Sequence, residues 1–194
     1  MKDKQTIFIA GGHNCGLMAD KIIENMDAAV LEKFNVVNIG ASYKFAADYN
    51  AQFTALHIGN LVAKHVGEID NLGVLLSGTG GGANLFACKH PHVRASVAAD
   101  IPHVIELRKK MITNVIAFPV MGDKECLRAK HWAKMIYNFA LTDISNIPIE
   151  ELARTIRIMT HRNNPVRQYL WMKHPEFMST YSGLYNRILE SRSR

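Results

Sequence analysis

The sequence predicts an α/β protein, a doubly wound five-stranded parallel sheet in a Rossmann-like three-layer sandwich, followed by a helical, basic C-terminal extension. Two observations predict it. Five short apolar runs alternate with amphipathic helical stretches over the first 140 residues, and right-handed crossovers would then cover both faces of the sheet. The chain has 194 residues and 48% hydrophobic content, enough for one full-sized domain and too little for two ordinary ones.

Each element follows the previous one after a short connection. The predicted strands are 6–10, 35–40, 73–77, 94–98 and 114–118. The predicted helices are 17–34, 51–66, 83–90, 102–111 and about 123–140, in which apolar residues recur at helical spacing. We expect residues 1–145 to form the α/β domain. We expect 146–194 to form a helical extension that packs on this domain or on a partner subunit.

The net charge of +6 is concentrated near the C-terminus. Residues 1–153 hold 15 basic and 15 acidic side chains, whereas 154–194 hold eight basic and two acidic ones. Such a tail suits nucleic acid or the phosphate of a small molecule, or it forms a solvated helix face. No apolar run reaches the length of a membrane span, and the N-terminus lacks a signal-peptide profile. We therefore expect a cytoplasmic protein without a membrane partner, and nucleic acid is the least favoured ligand.

A glycine loop after the third predicted strand, within VLLSGTGGGANLF, is the strongest chemical signal. Its members are Gly78, Thr79, Gly80, Gly81 and Gly82. Successive backbone N–H groups at the start of a helix stabilise an anion or a developing oxyanion. The loop lacks the G-K-[ST] of a Walker loop and the spacing of a dinucleotide fingerprint. A tight turn that requires glycine only for its conformation is the alternative.

The stretch GVLLSGTGGGANLFACKHPHVRASVAAD resembles the ribose-5-phosphate isomerase B and galactose-6-phosphate isomerase family, in which the third strand runs into Cys-Gly-Thr-Gly-x-Gly. AGGHNCG, DYN and TNVIAF resemble further family motifs in the same order, so the resemblance covers roughly residues 5–140. It implies an aldose–ketose isomerase of a phosphorylated sugar that uses no metal or cofactor and moves a proton through a cis-enediol. It also implies a homodimer or dimer of dimers, with each site built from two subunits.

The resemblance assigns catalytic positions to Ser77, Thr79 and Lys110. Ser77 stands where the family has its cysteine base, and Lys110 stands where it has a ring-opening histidine. A serine hydroxyl has a far higher pKa than a thiol and needs help to act as a base. A lysine needs a depressed pKa, and a solvated helix end is the alternative for Lys110. Cys15 and Cys88 are further candidates for proton transfer, or small buried residues. A catalytically impaired sugar-phosphate-binding relative or partner subunit is the second hypothesis.

The predicted substrate-binding residues are His13, Asp48, Tyr49, Gly78, Gly80, Gly81, Gly82, Asn114, Arg154 and Arg157. The resemblance implies that His13 and the two arginines lie near the phosphate, with other C-terminal arginines as competitors. Asp48 and Tyr49 face the sugar or form an Asx-type turn. Asn114 lines the site or only orders its own loop. We predict no metal site, and the three cysteines are expected to be free thiols.

Overall fold

The computed structural model describes residues 4–66, 71–90, 92–123 and 126–147. Within them, one five-stranded parallel sheet has the order β2-β1-β3-β5-β4. The strands are β1 (Gln5–Gly11), β2 (Phe34–Asn38), β3 (Leu72–Ser77), β4 (Ala95–Val97) and β5 (Val115–Pro119). The chain turns to opposite sides after β1 and β3, which opens a crevice between their carboxyl ends. The predicted fold class is confirmed for these residues.

Helices cover both faces of the sheet. They are α1 (Gly16–Glu24), α2 (Ala28–Lys33), α3 (Ala47–Asn50), α4 (Ala55–His65), α5 (Gly81–Ala87), α6 (Ile101–Lys110) and α7 (Ala129–Leu141). Alternation along β3 supplies both cores: Val74 and Leu76 join one cluster, and Leu75 joins the other. The first cluster includes Trp132 of α7, and the second includes Ile58 of α4. A central strand buried on both faces is typical of this architecture.

The predicted helix 17–34 is in fact two helices. The Asn25 side chain donates to the Lys21 carbonyl at 2.8 Å where α1 ends. The Asp27 carboxylate then accepts the Ala29 N–H at 2.8 Å and caps α2. Both are local side-chain contacts that compete with a continuous helix, and the apolar periodicity on which the prediction rested runs across the break without showing it.

Hydrogen bonds of local polar side chains also move two predicted helix starts. Helix α4 begins at Ala55 and not at 51, because the Thr54 hydroxyl accepts the His57 N–H at 3.3 Å. The last helix begins at Ala129 and not near 123. There the Asp123 carboxylate accepts the N–H groups of Leu127 at 2.8 Å and Arg128 at 2.9 Å.

The predicted extension 146–194 lies almost entirely outside the described residues, which end at 147. Arg154 and Arg157 are therefore outside them too. Among the residues that are described, no helix is long and apolar enough to cross a membrane.

Candidate active site

Ser77 is the last residue of β3, so it stands at the carboxyl edge of the sheet between β1 and β5. It is partly buried and pairs with Pro119 of β5. Its carbonyl accepts the Val120 N–H at 3.1 Å, and the Gly78 carbonyl accepts the Met121 N–H at 3.0 Å. The start of the glycine loop is therefore held by the segment that follows β5.

Gly80 turns the loop into α5 with a φ of 74°, a conformation that residues with a Cβ adopt at a cost of about 1–2 kcal/mol. A Cβ at this position would also lie 3.2 Å from Cγ1 of Val97. Gly80 is the N-cap of α5, and no side-chain hydrogen bond caps the helix there. The first N–H groups of a helix have no partner within the helix, and an anion is the kind of ligand that such donors bind. Thr79 is exposed beside it.

The loop after β1 forms the facing side of the crevice. The Gly12 N–H donates to the Leu76 carbonyl at 2.9 Å, so this loop begins directly beside Ser77. The His13 N–H donates to the Phe53 carbonyl at 2.8 Å. The His13 side chain is exposed in the single turn that precedes α1. The structure thus brings His13, Ser77 and the glycine loop to one edge of the sheet.

A carboxylate that the sequence analysis missed, Asp20 of α1, anchors the loop after β2. It accepts the Ser42 hydroxyl at 2.7 Å, the Tyr43 N–H at 2.9 Å and the Asn38 amide at 2.9 Å. The same loop passes so close to α1 that a Cβ at Gly16 would lie 2.8 Å from the Ser42 nitrogen. An acidic residue between buried positions of an amphipathic helix was the available signal.

Asn50 fixes the other end of this loop. Its Nδ2 donates to the Ser42 carbonyl at 2.8 Å, and its Oδ1 accepts the Ser42 N–H at 3.2 Å. Asp48 and Tyr49, the two predicted sugar-facing residues, lie on α3 within this clamped segment, and both are exposed. They stand on the loops of the carboxyl edge, on the side of β1 and β2.

Lys110 and Asn114 lie at the opposite edge of the sheet, where the amino ends of the strands are. Lys110 ends α6, which runs back from the carboxyl end of β4 to the amino end of β5, and Asn114 directly precedes β5. Since Ser77 pairs with Pro119, Asn114 is five residues away along the ladder, roughly 16 Å. The alternation of strands and helices already implied this placement, because a helix that leads into a parallel strand ends at the amino edge.

The contacts of these two side chains agree with their position. Lys110 bonds Glu106 at 2.6 Å on the exposed side of α6, which holds the pKa of that carboxyl below its usual range. Asn114 is buried; its Oδ1 accepts the Arg94 N–H at 2.7 Å and its Nδ2 donates to the His92 carbonyl at 3.0 Å. The prediction that Asn114 contacts substrate has no support in this geometry, because both polar atoms of its amide hold the loop before β4.

The cysteines do not replace the missing thiolate. Cys15 lies in the apolar cluster under the first loop, and burial raises the pKa of its thiol to about 11. Its neutral form therefore dominates at neutral pH. Cys88 is exposed beyond the C-terminal end of α5, far from the glycine loop, and its thiol contacts the Ala95 carbonyl at 3.4 Å. The expectation that it is a small buried residue is wrong, whereas it is correct for Cys15.

Two further histidines stand at the carboxyl edge. His57 and His103 are exposed in the first turns of α4 and α6, where Thr54 and Asp100 accept their N–H groups. Their imidazoles are the side-chain type that most often transfers protons near neutral pH. Across the described parts of the chain, no group of three His, Cys, Asp or Glu side chains could hold a metal ion.

Doubly wound α/β proteins bind their ligands beyond the carboxyl ends of the strands, at the switch point. In this chain the glycine turn without a side-chain cap lies at that point. The Ribose/Galactose Isomerase family profile matches residues 7–146. This is most of the chain, and the protein belongs to that family. No curated protein sequence matches the chain significantly.

Solved structures share the fold at low sequence identity. Ribose-5-phosphate isomerase B from Mycoplasma genitalium, solved with bound ribulose 5-phosphate, is 22% identical with a TM-score of 0.65, over 82% of this chain and 97% of that one. A mutant type B ribose 5-phosphate isomerase from Trypanosoma cruzi is 20% identical with a TM-score of 0.65, over 81% and 96%. A 4-deoxy-L-threo-5-hexosulose-uronate ketol-isomerase complexed with a tartrate is 18% identical with a TM-score of 0.64, over 91% and 86%.

Proposed function

We propose that the protein is an aldose–ketose isomerase that acts on a phosphorylated sugar, similar to ribose 5-phosphate or galactose 6-phosphate. The observation that carries the proposal is the uncapped glycine turn beside Ser77 in a chain of the isomerase family. Removal of the proton on the carbon next to the carbonyl leaves a cis-enediolate. Backbone N–H groups of the turn stabilise its oxygen. Return of the proton to the neighbouring carbon, with transfer of the hydroxyl proton from one oxygen to the other, completes the isomerisation.

The residues at the carboxyl edge have separate roles in this scheme. Ser77 and Thr79 place hydroxyl groups at the reacting carbons, and Gly78 and Gly80–Gly82 supply the amide donors. His13 faces the crevice from the β1 loop. Asp48 and Tyr49 approach the sugar from α3. We propose that Arg154 and Arg157 of the C-terminal extension bind the phosphate, whose oxygens match a guanidinium fork.

Lys110 enters the scheme only through a second copy of the chain. Lys110 ends α6 at the amino edge of the sheet, whereas Ser77 stands at the carboxyl edge, so it cannot touch a sugar held by the glycine loop of its own subunit. We propose a cytoplasmic homodimer or dimer of dimers, in which Lys110 of one subunit reaches the crevice of the other. A variant in which Lys110 is replaced by methionine should then lose turnover, and mixing it with a Ser77→Ala variant should restore part of the activity through hybrid sites.

A specific observation favours a second candidate, a sugar-phosphate-binding relative or partner subunit with impaired catalysis. The family's thiolate is replaced by Ser77, and the buried Cys15 thiol, with its pKa raised to about 11, cannot serve in its place. Binding of the sugar phosphate would persist in such a protein, since the loop amides need no base.

One experiment separates the two candidates. The purified protein is incubated in D2O with tetrose, pentose and hexose phosphates and with an unphosphorylated hexuronate, and deuterium at C2 is followed by NMR. Exchange with a phosphorylated sugar is the result expected for an isomerase. Binding without exchange by any of them would reject the first candidate. A gain of exchange in Ser77→Cys would then show that the base alone is missing, whereas Ser77→Ala serves as the matched control.

A further inference from the structure

Four ring side chains spaced four residues apart form a continuous ladder that leads to the crevice. Phe45 and Tyr49 have ring centroids 5.0 Å apart, Tyr49 and Phe53 5.6 Å, and Phe53 and His57 5.3 Å. We call these residues the aromatic ladder. Phe53 is 5% exposed and anchors the ladder, whereas Phe45 and Tyr49 are 45% and 49% exposed.

The ladder is joined to the glycine-loop crevice through Phe53. Its ring is the buried rung, and its carbonyl accepts the His13 N–H at 2.8 Å. The outer rungs are held by the clamp of Asp20 and Asn50 on Ser42, which fixes the loop before α3. An aromatic surface held this way loses little conformational entropy when a ligand packs on it. The aromatic ladder therefore lies beside the β1 loop, which forms one side of the crevice.

The two outer rings are about half exposed and contact their neighbours edge-to-face. The Phe45 and Tyr49 rings meet at 76°, and the Tyr49 and Phe53 rings at 70°, both edge-to-face. Phe53 belongs to the buried cluster on this face of the sheet, whereas Phe45 and Tyr49 do not. Asp48 is exposed on the same short helix, α3. An open aromatic face with a carboxylate nearby suits a sugar, whose C–H face packs on a ring while its hydroxyls donate to the carboxylate.

We propose that Phe45 and Tyr49 form a stacking subsite for the closed ring of the sugar, and that Phe45 is a specificity residue for cyclic substrates. This inference rests on the proposed function, since it takes the occupant to be the sugar of the isomerase. The subsite binds the ring before it opens beside Ser77. A sugar that cannot close a ring gains no binding affinity from this subsite.

Tyr43 provides the matched control. It is 54% exposed in the same loop but lies outside the ladder, with the Lys44 ammonium 5.8 Å from its ring centroid. Ribose 5-phosphate closes a five-membered ring, whereas erythrose 4-phosphate cannot, because the hydroxyl that would close it carries the phosphate. The variants Phe45→Leu, Phe45→Trp and Tyr43→Leu are compared on both sugars for kcat, KM and Kd, the last by saturation-transfer NMR.

We expect Phe45→Leu to raise the KM and Kd for ribose 5-phosphate about three- to tenfold, the range of a single aromatic contact, with kcat unchanged. Erythrose 4-phosphate should bind equally to this variant and to the native protein. Phe45→Trp should restore the affinity, and Tyr43→Leu should leave it unchanged. Equal losses for both sugars, or no loss for either, would overturn the subsite.

The mass of the assembly that Phe45→Leu forms in solution, measured by sedimentation, tests the alternative that the aromatic ladder is a contact between subunits. An unchanged mass is expected. A lower mass would show that the aromatic ladder is a contact between copies of the chain, and the subsite would be rejected. Failure of the proposed function gives a different result: no sugar exchanges deuterium, yet the ring-dependent difference in Kd between native protein and Phe45→Leu remains.

Discussion

Replacement of Asn114 by alanine separates the structural role that its contacts give it from the substrate-binding role that its sequence position suggested. Asn114 is 4% exposed, and its amide holds the Arg94 N–H at 2.7 Å and the His92 carbonyl at 3.0 Å. Alanine takes the acceptor from the Arg94 N–H and leaves the His92 carbonyl only the Arg94 guanidinium, at 3.4 Å. A buried polar group that loses its partner costs about 1–3 kcal/mol. Arg94 is only partly buried, so we expect the free energy of unfolding to fall by about 2–4 kcal/mol.

Urea unfolding followed by circular dichroism measures this loss, and thermal unfolding followed by the same signal measures the change in Tm. For a chain of this size, Tm falls by about 2–4 °C per kcal/mol, so a decrease of about 5–15 °C is expected. Asn138→Ala is the control, because the Asn138 amide donates to the Lys134 carbonyl at 2.8 Å at an exposed site, and its effect should stay within about 0.5 kcal/mol. Folded Asn114→Ala assayed below its transition should keep the native KM. Native stability combined with a raised KM would refute the structural role.

Three further perturbations test other parts of the structure. Gly80→Ala should lose about 1–2 kcal/mol of stability from its φ of 74° and should lower kcat, because the loop is displaced. The control Gly122→Ala, with a φ of 85° and no atom within 4 Å of an added Cβ, should lose stability alone. Equal kcat values for the two variants would contradict the catalytic role of the loop. Burial lowers the pKa of His90 to about 4 and lowers that of His92, so unfolded chains bind more protons below about pH 6.5. The urea concentration at the unfolding midpoint should therefore decrease as the pH is lowered from 6.5 to 4. A midpoint that does not change with pH would exclude buried neutral imidazoles. Asp20→Ala removes the acceptor of three hydrogen bonds, so it should lower the free energy of unfolding by about 2–3 kcal/mol and expose loop 39–46 to proteolysis. The control Asp27→Ala removes only the cap of α2 and should leave that loop protected.

The fold was predictable because its signals are local. Apolar strands separated by amphipathic helices identify a parallel sheet, and the positions of all five strands agree with the prediction to within two residues at each end. The boundaries that failed depend on single polar side chains. Asp27 and Thr54 cap helices, and their effect on a helix start depends on a backbone geometry that hydrophobic periodicity does not report.

The candidate site was only partly predictable. Placing the glycine loop and His13 at the carboxyl edge required no more than the alternation of strands and helices. Asp20 was missed because its partners lie 18 to 23 residues further along the chain. The aromatic ladder was missed because Phe45 and Tyr49 fall in a stretch interpreted as a polar loop, whereas Phe53 and His57 fall in the predicted helix 51–66.

By itself, the sequence determined the class of fold, the glycine turn at the end of β3, the replacement of a cysteine by Ser77, and the family resemblance that the profile match confirms. Tertiary structure decided the strand order and therefore the crevice between β1 and β3. Through burial it also raises the pKa of the Cys15 thiol to about 11, and it forms the clamp that holds the loop of the aromatic ladder. The reason is physical: an element's type follows from neighbouring residues, whereas burial, pKa and the convergence of loops depend on which distant segments pack together.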